Sequence, residues 1–345
     1  MNGAYREIIA ASDADRRDLF IGTANRLGTA VQNVEKDFWV CWVLDALFNG
    51  LPAHGPRLLF KGGTSLSKGF GLISRFSEDI DITVFRDDLG QPAEPAELEA
   101  LSGKKRRQRL DAIREACQLF IQGDFEAGLR TRAVDFIQKG FTLESDPDDA
   151  DGQSLLLWYP TAVAQADGYV RSAVKIESGA KSALDPHTAV TVRPYIADDL
   201  PHMELGVSNV TTVQPERTLW DKIVILHGLR QWYDRRGELR HGGQRVSRHY
   251  YDVYQLLRSP HTARWLANGS LAEDCARHAR LFFGSSDLGL DAAAHGTFTL
   301  MPSAAMLDAL RRDYSAMAGM IFHDVPDLRD VLASVEQLEN DINIR

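Results

Sequence analysis

Two neighbouring motifs combine a glycine turn with a pair of aspartates. Gly62 and Gly63 follow a short apolar strand at 58–60 and precede a run of small polar residues, so free backbone amides could face a phosphate there. In the next segment Asp79 and Asp81 alternate with apolar residues, which places both carboxylates on one face of a strand. Carboxylate oxygens are suitable ligands for Mg²⁺. The combination predicts phosphoryl chemistry on a nucleoside triphosphate.

The order of these motifs resembles the polymerase-beta-like nucleotidyltransferase superfamily, in which a Gly-Gly or Gly-Ser turn is followed by an Asp-x-Asp strand. Further segments are similar to the AbiEii/AbiGii-type toxin nucleotidyltransferases, and together they extend over about 220 residues. These segments are Glu35–Val40, Arg75–Asp81, Arg217–Ile223 and Arg248–Asp252.

The resemblance implies a set of site residues. It implies that the first two segments form the triphosphate and metal site, and that a lysine and an aspartate in later helices complete it. The implied catalytic residues are Asp79, Asp81, Lys222 and Asp252. The expected nucleotide ligands are Lys61, Gly62, Gly63, Thr64, Ser65, Lys68 and Lys222.

Glu177 is the candidate for a third metal ligand, because two-metal chemistry usually needs a third carboxylate. In the strand that ends there, Val174 and Ile176 fall on one face while Lys175 and Glu177 fall on the other. A neighbouring strand would then direct Glu177 toward the aspartate pair. The alternative is an exposed strand end before the turn at Gly179.

Lys222 and Asp252 lie in segments that read as helices. Lys222 has mostly apolar neighbours at three and four positions along its helix, and a triphosphate oxygen would neutralise its charge. The alternatives are a lysine that extends to solvent and a structural ion pair. Asp252 could position Lys222, hydrogen-bond the nucleotide or accept a proton from the acceptor hydroxyl.

Two basic segments are candidate surfaces for a polyanion. The first segment, between Arg217 and Arg258, is interleaved with aromatic residues. Such a segment could bind the phosphates and terminal bases of an RNA, although a solvated loop is the alternative. Its candidate acceptor-binding residues are Arg230, Arg235, Arg236, Arg245 and Arg248. The second is the run 104–109 at a predicted helix N-terminus, where positive charge opposes the helix dipole unless an anion binds nearby.

Composition narrows the class of protein. The chain has 345 residues, 44% of them hydrophobic, which is enough for two domains and a core, and its net charge of −9 argues against a surface coated in basic groups. The three cysteines, Cys41, Cys117 and Cys275, are expected to be reduced. No apolar run approaches the roughly 20 residues of a membrane span, and the start lacks a signal-peptide pattern. We therefore expect a cytoplasmic protein without a membrane partner.

The expected fold is α+β, with a nucleotidyltransferase domain that contains a small mixed sheet and a C-terminal helical domain. Helices are predicted at 13–50 and 104–123, strands at 155–159, 169–177 and 190–195, and helices from Pro215 onward. The helix through 35–48 reads as amphipathic. We predict domains at 1–205 and 206–345, with the helical domain completing the active-site cleft.

The predicted reaction is transfer of a nucleoside monophosphate from an NTP to an acceptor hydroxyl, with release of pyrophosphate and with Mg²⁺ or Mn²⁺ at Asp79, Asp81 and Glu177. The resemblance implies a toxin of a toxin–antitoxin pair, a cognate antitoxin and an RNA acceptor such as the tRNA 3′ end. The alternatives are transfer to a protein side chain or a small molecule, and a non-catalytic scaffold that binds nucleotide or antitoxin.

Overall fold

The computed structural model describes residues 1–163, 172–240, 246–322 and 324–344. Internal contacts divide the chain into two compact units. The first unit contains Met1–Phe70, Phe76–Ala93 and Leu101–Val213, and the second contains Gly71–Arg75, Glu94–Ala100 and Gln214–Arg345. Within the described residues, none of the helices is long and apolar enough to cross a lipid bilayer.

Helices and strands alternate in the first part of the chain, and helices follow from Pro215 onward. The strands are β1 (Leu58–Lys61), β2 (Asp79–Val84), β3 (Thr142–Ser145), β4 (Ser154–Trp158), β5 (Ala173–Gly179), β6 (His187–Val192) and β7 (Val207–Val213). The helices are α1 (Ala4–Ala10), α2 (Asp13–Leu27), α3 (Val31–Asp45), α4 (Gly62–Lys68), α5 (Pro95–Ala100), α6 (Gly103–Phe120), α7 (Glu126–Phe136), α8 (Pro215–Arg236), α9 (Ser247–Leu257), α10 (Thr262–Leu266), α11 (Gly269–Phe283), α12 (Leu307–Met317) and α13 (Leu328–Ile344).

The first unit is built on one mixed sheet in the order β3-β4-β5-β2-β1-β7-β6. β2 pairs parallel to β5 and antiparallel to β1, and β1 pairs parallel to β7. The two aspartates of β2 therefore lie on a strand with a partner on each side. The predicted α+β class and mixed sheet are confirmed, and in the described part of the chain the sheet has seven strands, where the sequence suggested a small one.

The strand β7 lies where the sequence analysis placed a connection between domains. Its alternation is weak, because Ser208 and Asn209 are both exposed and Asn209 has a positive φ of 58°. Nevertheless β7 pairs with both β1 and β6. The contacts consequently divide the chain after Val213, whereas the predicted boundary at 205 and 206 falls before this strand.

The helix α3 differs from its prediction. The sequence suggested one buried side, yet every residue from Asn33 to Asp45 is buried. Four of these residues, Glu35, Lys36, Asp37 and Asp45, carry charge. Because a buried charge without a partner is costly, α3 must bring a specific partner to each of them, and the structure shows that it does.

The second unit, in its described part, is mainly helical. α8 begins with Pro215 in its first turn and ends at Gly237, whose φ of 71° is left-handed and suits a helix end. The buried aromatic residues Trp220, Tyr250 and Tyr251 contribute to its core. Arg75 belongs to this unit, where it forms an isolated bridge with Ile321.

Candidate active site

The two aspartates of β2 lie on the partly exposed face of the strand, as their alternation predicted. Asp79 and Asp81 are partly exposed, while Ile80 and Ile82 between and beyond them are fully buried. A strand with one apolar face toward the core fixes the direction of its other face. The two carboxylates therefore lie side by side on a surface that a substrate could reach.

Neighbouring strands place further charged residues on the same face. Asp81 is the register partner of Lys61 on β1 and of Glu177 on β5, and Asp79 is the partner of Lys175 on β5. The Nζ of Lys61 lies 3.7 Å from Oδ1 of Asp81. The pairing of β2 with β5 thus places Glu177 directly beside Asp81. The sequence suggested this neighbourhood but could not establish it.

The carboxylate of Glu177 has a partner within the protein. The Nζ of Lys175 lies 2.7 Å from Oε1 of Glu177 and 3.0 Å from Oδ2 of Asp146. Burial alone would lower the pKa of Lys175, but these two carboxylates raise it above its ordinary value. Lys175 is therefore a cation held between two acids, and Glu177 is directed toward it.

The glycine turn approaches the aspartate pair closely. Gly62 has a φ of 78°, and a Cβ added there would lie 2.0 Å from Oδ2 of Asp81. Any other residue would be strained at this φ and would overlap the carboxylate. Only glycine therefore allows the turn and the aspartate to lie in direct contact.

The hydroxyl groups after the turn are used inside the unit. Thr64 Oγ1 donates to the backbone carbonyl of Asp79 and lies 2.8 Å from Ser77 Oγ. Ser65 Oγ donates to the carbonyl of Gly62 at 2.8 Å. Both residues are buried. Thr64 thus fastens the turn to β2, whereas Ser65 bonds within the turn, and their predicted contacts with a nucleotide stay predictions.

Lys68 was predicted to bind nucleotide, but the structure pairs it elsewhere. It is the last residue of α4, at the opposite end of the helix from Gly62. Its Nζ lies 2.6 Å from Oδ1 of Asp37 and 3.6 Å from the ring centroid of Tyr195. A buried ammonium with a carboxylate and an aromatic face around it is already well stabilised.

In the second unit, Lys222 and Asp252 form a buried ion cluster with Arg75. Arg75 binds both carboxylate oxygens of Asp252, with Nε–Oδ1 and Nη2–Oδ2 distances of 2.8 and 2.9 Å. Lys222 Nζ lies 2.8 Å from Oδ2 of the same carboxylate. Asp252 is completely buried. The structural ion pair that the sequence left open for Lys222 is therefore present.

The cluster has more positive than negative charge, and the pKa values reflect this. Burial alone would raise the pKa of Asp252, but Arg75 and Lys222 hold it well below its usual range. Burial lowers the pKa of Lys222, and Asp252 opposes that shift. Because one carboxylate serves two cations, Asp252 stays ionised while Lys222 is incompletely compensated. The catalytic roles predicted for both residues are not tested by this arrangement.

A family model described as nucleotidyl transferase AbiEii toxin, type IV toxin–antitoxin system, matches residues 45–337. The match covers most of the chain, including the aspartate pair, Lys222 and Asp252. The chain belongs to the AbiEii nucleotidyltransferase toxin family. It is thus a toxin nucleotidyltransferase of a type IV toxin–antitoxin system, and this assignment implies an NTP substrate and an antitoxin partner.

Among solved structures, the AbiEii-family chain is similar to MenT4, a nucleotidyltransferase toxin from Mycobacterium tuberculosis H37Rv. The two share 16% sequence identity, the comparison covers 95% of this chain and 98% of that one, and the TM-score is 0.44. The comparison with curated proteins gives no match.

The donor set of this toxin fits a divalent metal ion by chemistry and charge. Among the described residues, no group of three His, Cys, Asp or Glu side chains is arranged to hold a metal. The described residues of this face nevertheless include four carboxylates, beside the ammonium groups of Lys61 and Lys175. The carboxylates are Asp79, Asp81, Asp146 and Glu177. Oxygen donors with this charge suit Mg²⁺.

The basic segment predicted to bind the acceptor is partly neutralised in the described structure of the toxin. Arg230 pairs with Asp234 at 2.7 Å, and Arg236 pairs with Asp287. Arg235 is exposed and Arg248 is partly exposed. Arg245 lies outside the described residues.

Several residues of the site were not singled out from the sequence. Lys175 had a usable signal, since it precedes Glu177 by two positions and shares its strand face. Asp146 had no such signal. Lys36 and Glu78 lie in segments that resemble the family, but the sequence did not indicate that they pair with each other, because the two are distant in the chain. Lys36 and Glu78 are 42 positions apart.

Proposed function

We propose that this AbiEii-family toxin transfers a nucleoside monophosphate from an NTP to an acceptor hydroxyl, with release of pyrophosphate. One observation carries the proposal: Asp79 and Asp81 share a partly exposed face of β2, and Gly62 contacts Asp81 so closely that no side chain fits between them. The turn and the acidic pair thus form one continuous surface. A triphosphate needs both cationic neutralisation and close access to backbone; a metal ion held by the acidic pair would supply the first, and the glycine turn would supply the second.

Asp79 and Asp81 would hold Mg²⁺, or Mn²⁺, on this face. The bound metal would neutralise triphosphate charge and activate the attacking oxygen. Glu177 would join them as a third carboxylate. Lys175 supports this role, because its ammonium also pairs with Asp146 at 3.0 Å. If Glu177 left Lys175 to bind the metal, the buried carboxylate of Asp146 would still neutralise the ammonium of Lys175.

The proposed acceptor is an RNA, such as the 3′ end of a tRNA, and blocked aminoacylation would then arrest growth. Support comes from cations without an ion pair in the described part of the chain. Lys104, Lys105 and Arg107 are exposed in the first turns of α6 and have no carboxylate within 4 Å among those residues. Like charges at a helix N-terminus are unfavourable without an anion, and RNA phosphates would supply one.

Other acceptors would use the same chemistry. A protein side chain or a small molecule would need no extended basic surface, so transfer to it would be insensitive to the exposed cations of α6. A non-catalytic scaffold would bind nucleotide or antitoxin without turnover. The partly exposed aspartate pair favours catalysis over a scaffold, because a bound metal ion would offset the repulsion between two adjacent carboxylates and could act on a triphosphate.

The proposal is tested by incubating the purified protein with total RNA, each labelled NTP in turn and Mg²⁺. We expect one NTP to label an RNA band and to release pyrophosphate, and Asp81→Asn to abolish both signals. Labelling of the protein itself or of a small molecule would redirect the acceptor. Nucleotide binding without pyrophosphate release in any mixture would favour the scaffold.

A further inference from the structure

Helix α3 carries two adjacent charged residues, Lys36 and Asp37, and both are buried. Lys36 Nζ lies 2.7 Å from Oε2 of Glu78. Asp37 Oδ1 lies 2.6 Å from Nζ of Lys68. All four side chains are at most 6% exposed. Removal of one partner would leave an uncompensated charge in the interior, so each pair holds its two elements firmly together.

The partners of these two residues lie on the two halves of the proposed site. Glu78 directly precedes Asp79, the first residue of β2. Lys68 is the last residue of α4, which begins at Gly62. Successive residues of a helix point about 100° apart, so α3 can hold two different segments with two neighbouring side chains. Helix α3 therefore holds both β2, which carries the two aspartates, and the helix that begins at the glycine turn.

The Asp37 pair has additional support. The backbone N–H of Tyr195 donates to Oδ2 of Asp37 at 2.7 Å, while the Tyr195 ring lies over the ammonium of Lys68. Burial alone would lower the pKa of Lys68, but Asp37 raises it above its ordinary value. Lys68 thus stays charged and bonded inside the protein, with both oxygens of Asp37 in use.

We propose that Lys36 and Asp37 are positioning residues for nucleotidyl transfer, which set β2 and the glycine turn in their reactive arrangement through Glu78 and Lys68. This rests on the proposed function, since it requires the Asp79 face to be the reaction site. Replacement of a buried ion pair by well-packed apolar residues of similar volume is often neutral or stabilising. Apolar contacts have no preferred direction, whereas charged hydrogen bonds do. Misplacement by about 1 Å can reduce the rate on the order of 10²-fold.

The test replaces each pair as a unit. The first variant combines Asp37→Asn with Lys68→Met, and the asparagine keeps an acceptor for the N–H of Tyr195. The second combines Lys36→Met with Glu78→Gln. We expect both to remain folded, while kcat/KM for NTP falls on the order of 10²-fold.

The two variants should fail in different ways. Loss of the Asp37–Lys68 pair should raise KM for NTP and weaken equilibrium binding of a non-hydrolysable NTP, because it loosens the turn. Loss of the Lys36–Glu78 pair should lower kcat and raise the Mg²⁺ concentration needed for half-maximal rate, because it loosens the strand. If the pairs had a purely structural role, the variants would change the unfolding temperature, but kcat, KM and the Mg²⁺ dependence would keep their wild-type values.

Asp45→Asn is the matched control. Asp45 is also a buried aspartate of α3, but it bonds to the backbone of Asn2 and the side chain of Asn49 rather than to the site elements. Its variant should keep wild-type kinetics. If both double variants are folded and also keep wild-type kcat, KM and Mg²⁺ dependence, the positioning role is overturned.

If the double variants fail to fold, two single variants test the positioning role instead. Lys36→Arg and Lys68→Arg keep the charge but change the geometry of the bond, and we expect folded proteins with reduced kcat/KM. Wild-type kinetics in both would overturn the inference. Asp81→Asn separates the two proposals: if it keeps full transfer, the proposed site fails, and if it is inactive while the pair variants are normal, only the positioning role fails.

Discussion

The carboxylates of Asp81 and Asp252 occupy opposite environments, each in its own unit. Asp81 is partly exposed, and among the described residues the ammonium of Lys61 lies 3.7 Å from it. Asp252 is completely buried and binds two cations at 2.8–2.9 Å. The first carboxylate has charge available for an external cation, whereas the charge of the second is already used by the protein. The same residue type thus belongs to the proposed site in one region and to an internal ion cluster in the other.

The largest expected effect is on catalysis at the sheet face. Asp81→Asn and Asp79→Asn should each reduce transfer by more than about 10²-fold, since metal-bound oxygens contribute several kcal/mol to transition-state stabilisation. Stability should be unchanged or slightly higher, because one of two adjacent like charges is removed. Labelled-NTP transfer and thermal unfolding of the same preparations measure both. A large loss of stability would instead indicate that Asp81, like Asp252, has a structural role in an ion pair.

Asp252→Asn should show the reverse pattern in stability. It leaves Arg75 and Lys222 buried without a counter-charge, and we expect the free energy of unfolding to fall by about 3–5 kcal/mol. Urea denaturation measures this change. Asp308→Asn, which removes an exposed pair with Arg311, is the control and should change stability by less than about 0.5 kcal/mol. Equal effects of the two substitutions would contradict the buried cluster.

The buried cluster also predicts a pH dependence. The pKa of Asp252 is lower in the folded than in the unfolded chain, so its stabilising contribution is complete above the unfolded pKa of about 3.9. It is lost as the pH falls through the folded pKa. The stability difference between wild type and Asp252→Asn should therefore be constant from pH 7 to about 5 and decrease in stronger acid. If that stability difference instead grew as the pH fell, the pKa of Asp252 could not be lower in the folded chain, and the prediction would be wrong.

Glu177 lies between the two extremes, because it is 40% exposed and paired with Lys175. Glu177→Gln should lower transfer strongly and leave NTP binding largely intact, since Asp79 and Asp81 hold the triphosphate-side metal in the proposed mechanism. Lys175→Met is the matched variant, and it should retain metal dependence near wild type because Glu177 is then free. Single-turnover transfer against Mg²⁺ concentration tests both. Near-normal turnover of Glu177→Gln would leave a two-carboxylate site.

The smallest effects are expected at the basic surfaces. Combined Lys104→Ala and Lys105→Ala should weaken RNA binding and reduce its salt slope by about 2, roughly one unit for each phosphate contact. Combined Arg235→Ala and Arg236→Ala should have a smaller effect, because Arg236 is already paired with Asp287. Filter binding of the labelled RNA at several salt concentrations distinguishes them. Wild-type slopes in both would favour a protein or small-molecule acceptor.

Local patterns predicted much of the fold. The alternation in β2, the helix α6 and the long helix from Pro215 were all expected, because each depends on neighbours within a few residues. By contrast β7 was missed, since its polar residues hide the alternation and only its pairing with β1 makes it a strand. The complete burial of α3 was missed for a related reason: its charged residues look like a solvent face until their partners are known.

The sequence by itself determined the direction of Asp79 and Asp81, because a period of two fixes which side chains share a strand face. It also determined the chemistry, through the motifs that place the chain in its family. Tertiary structure decided the partners of Lys68, Lys222 and Glu177. Arg75 and Asp252, for instance, are 177 positions apart. Such pairs depend on strand order and helix packing, and a charge acquires its role only when folding determines whether water, a protein partner or a ligand surrounds it.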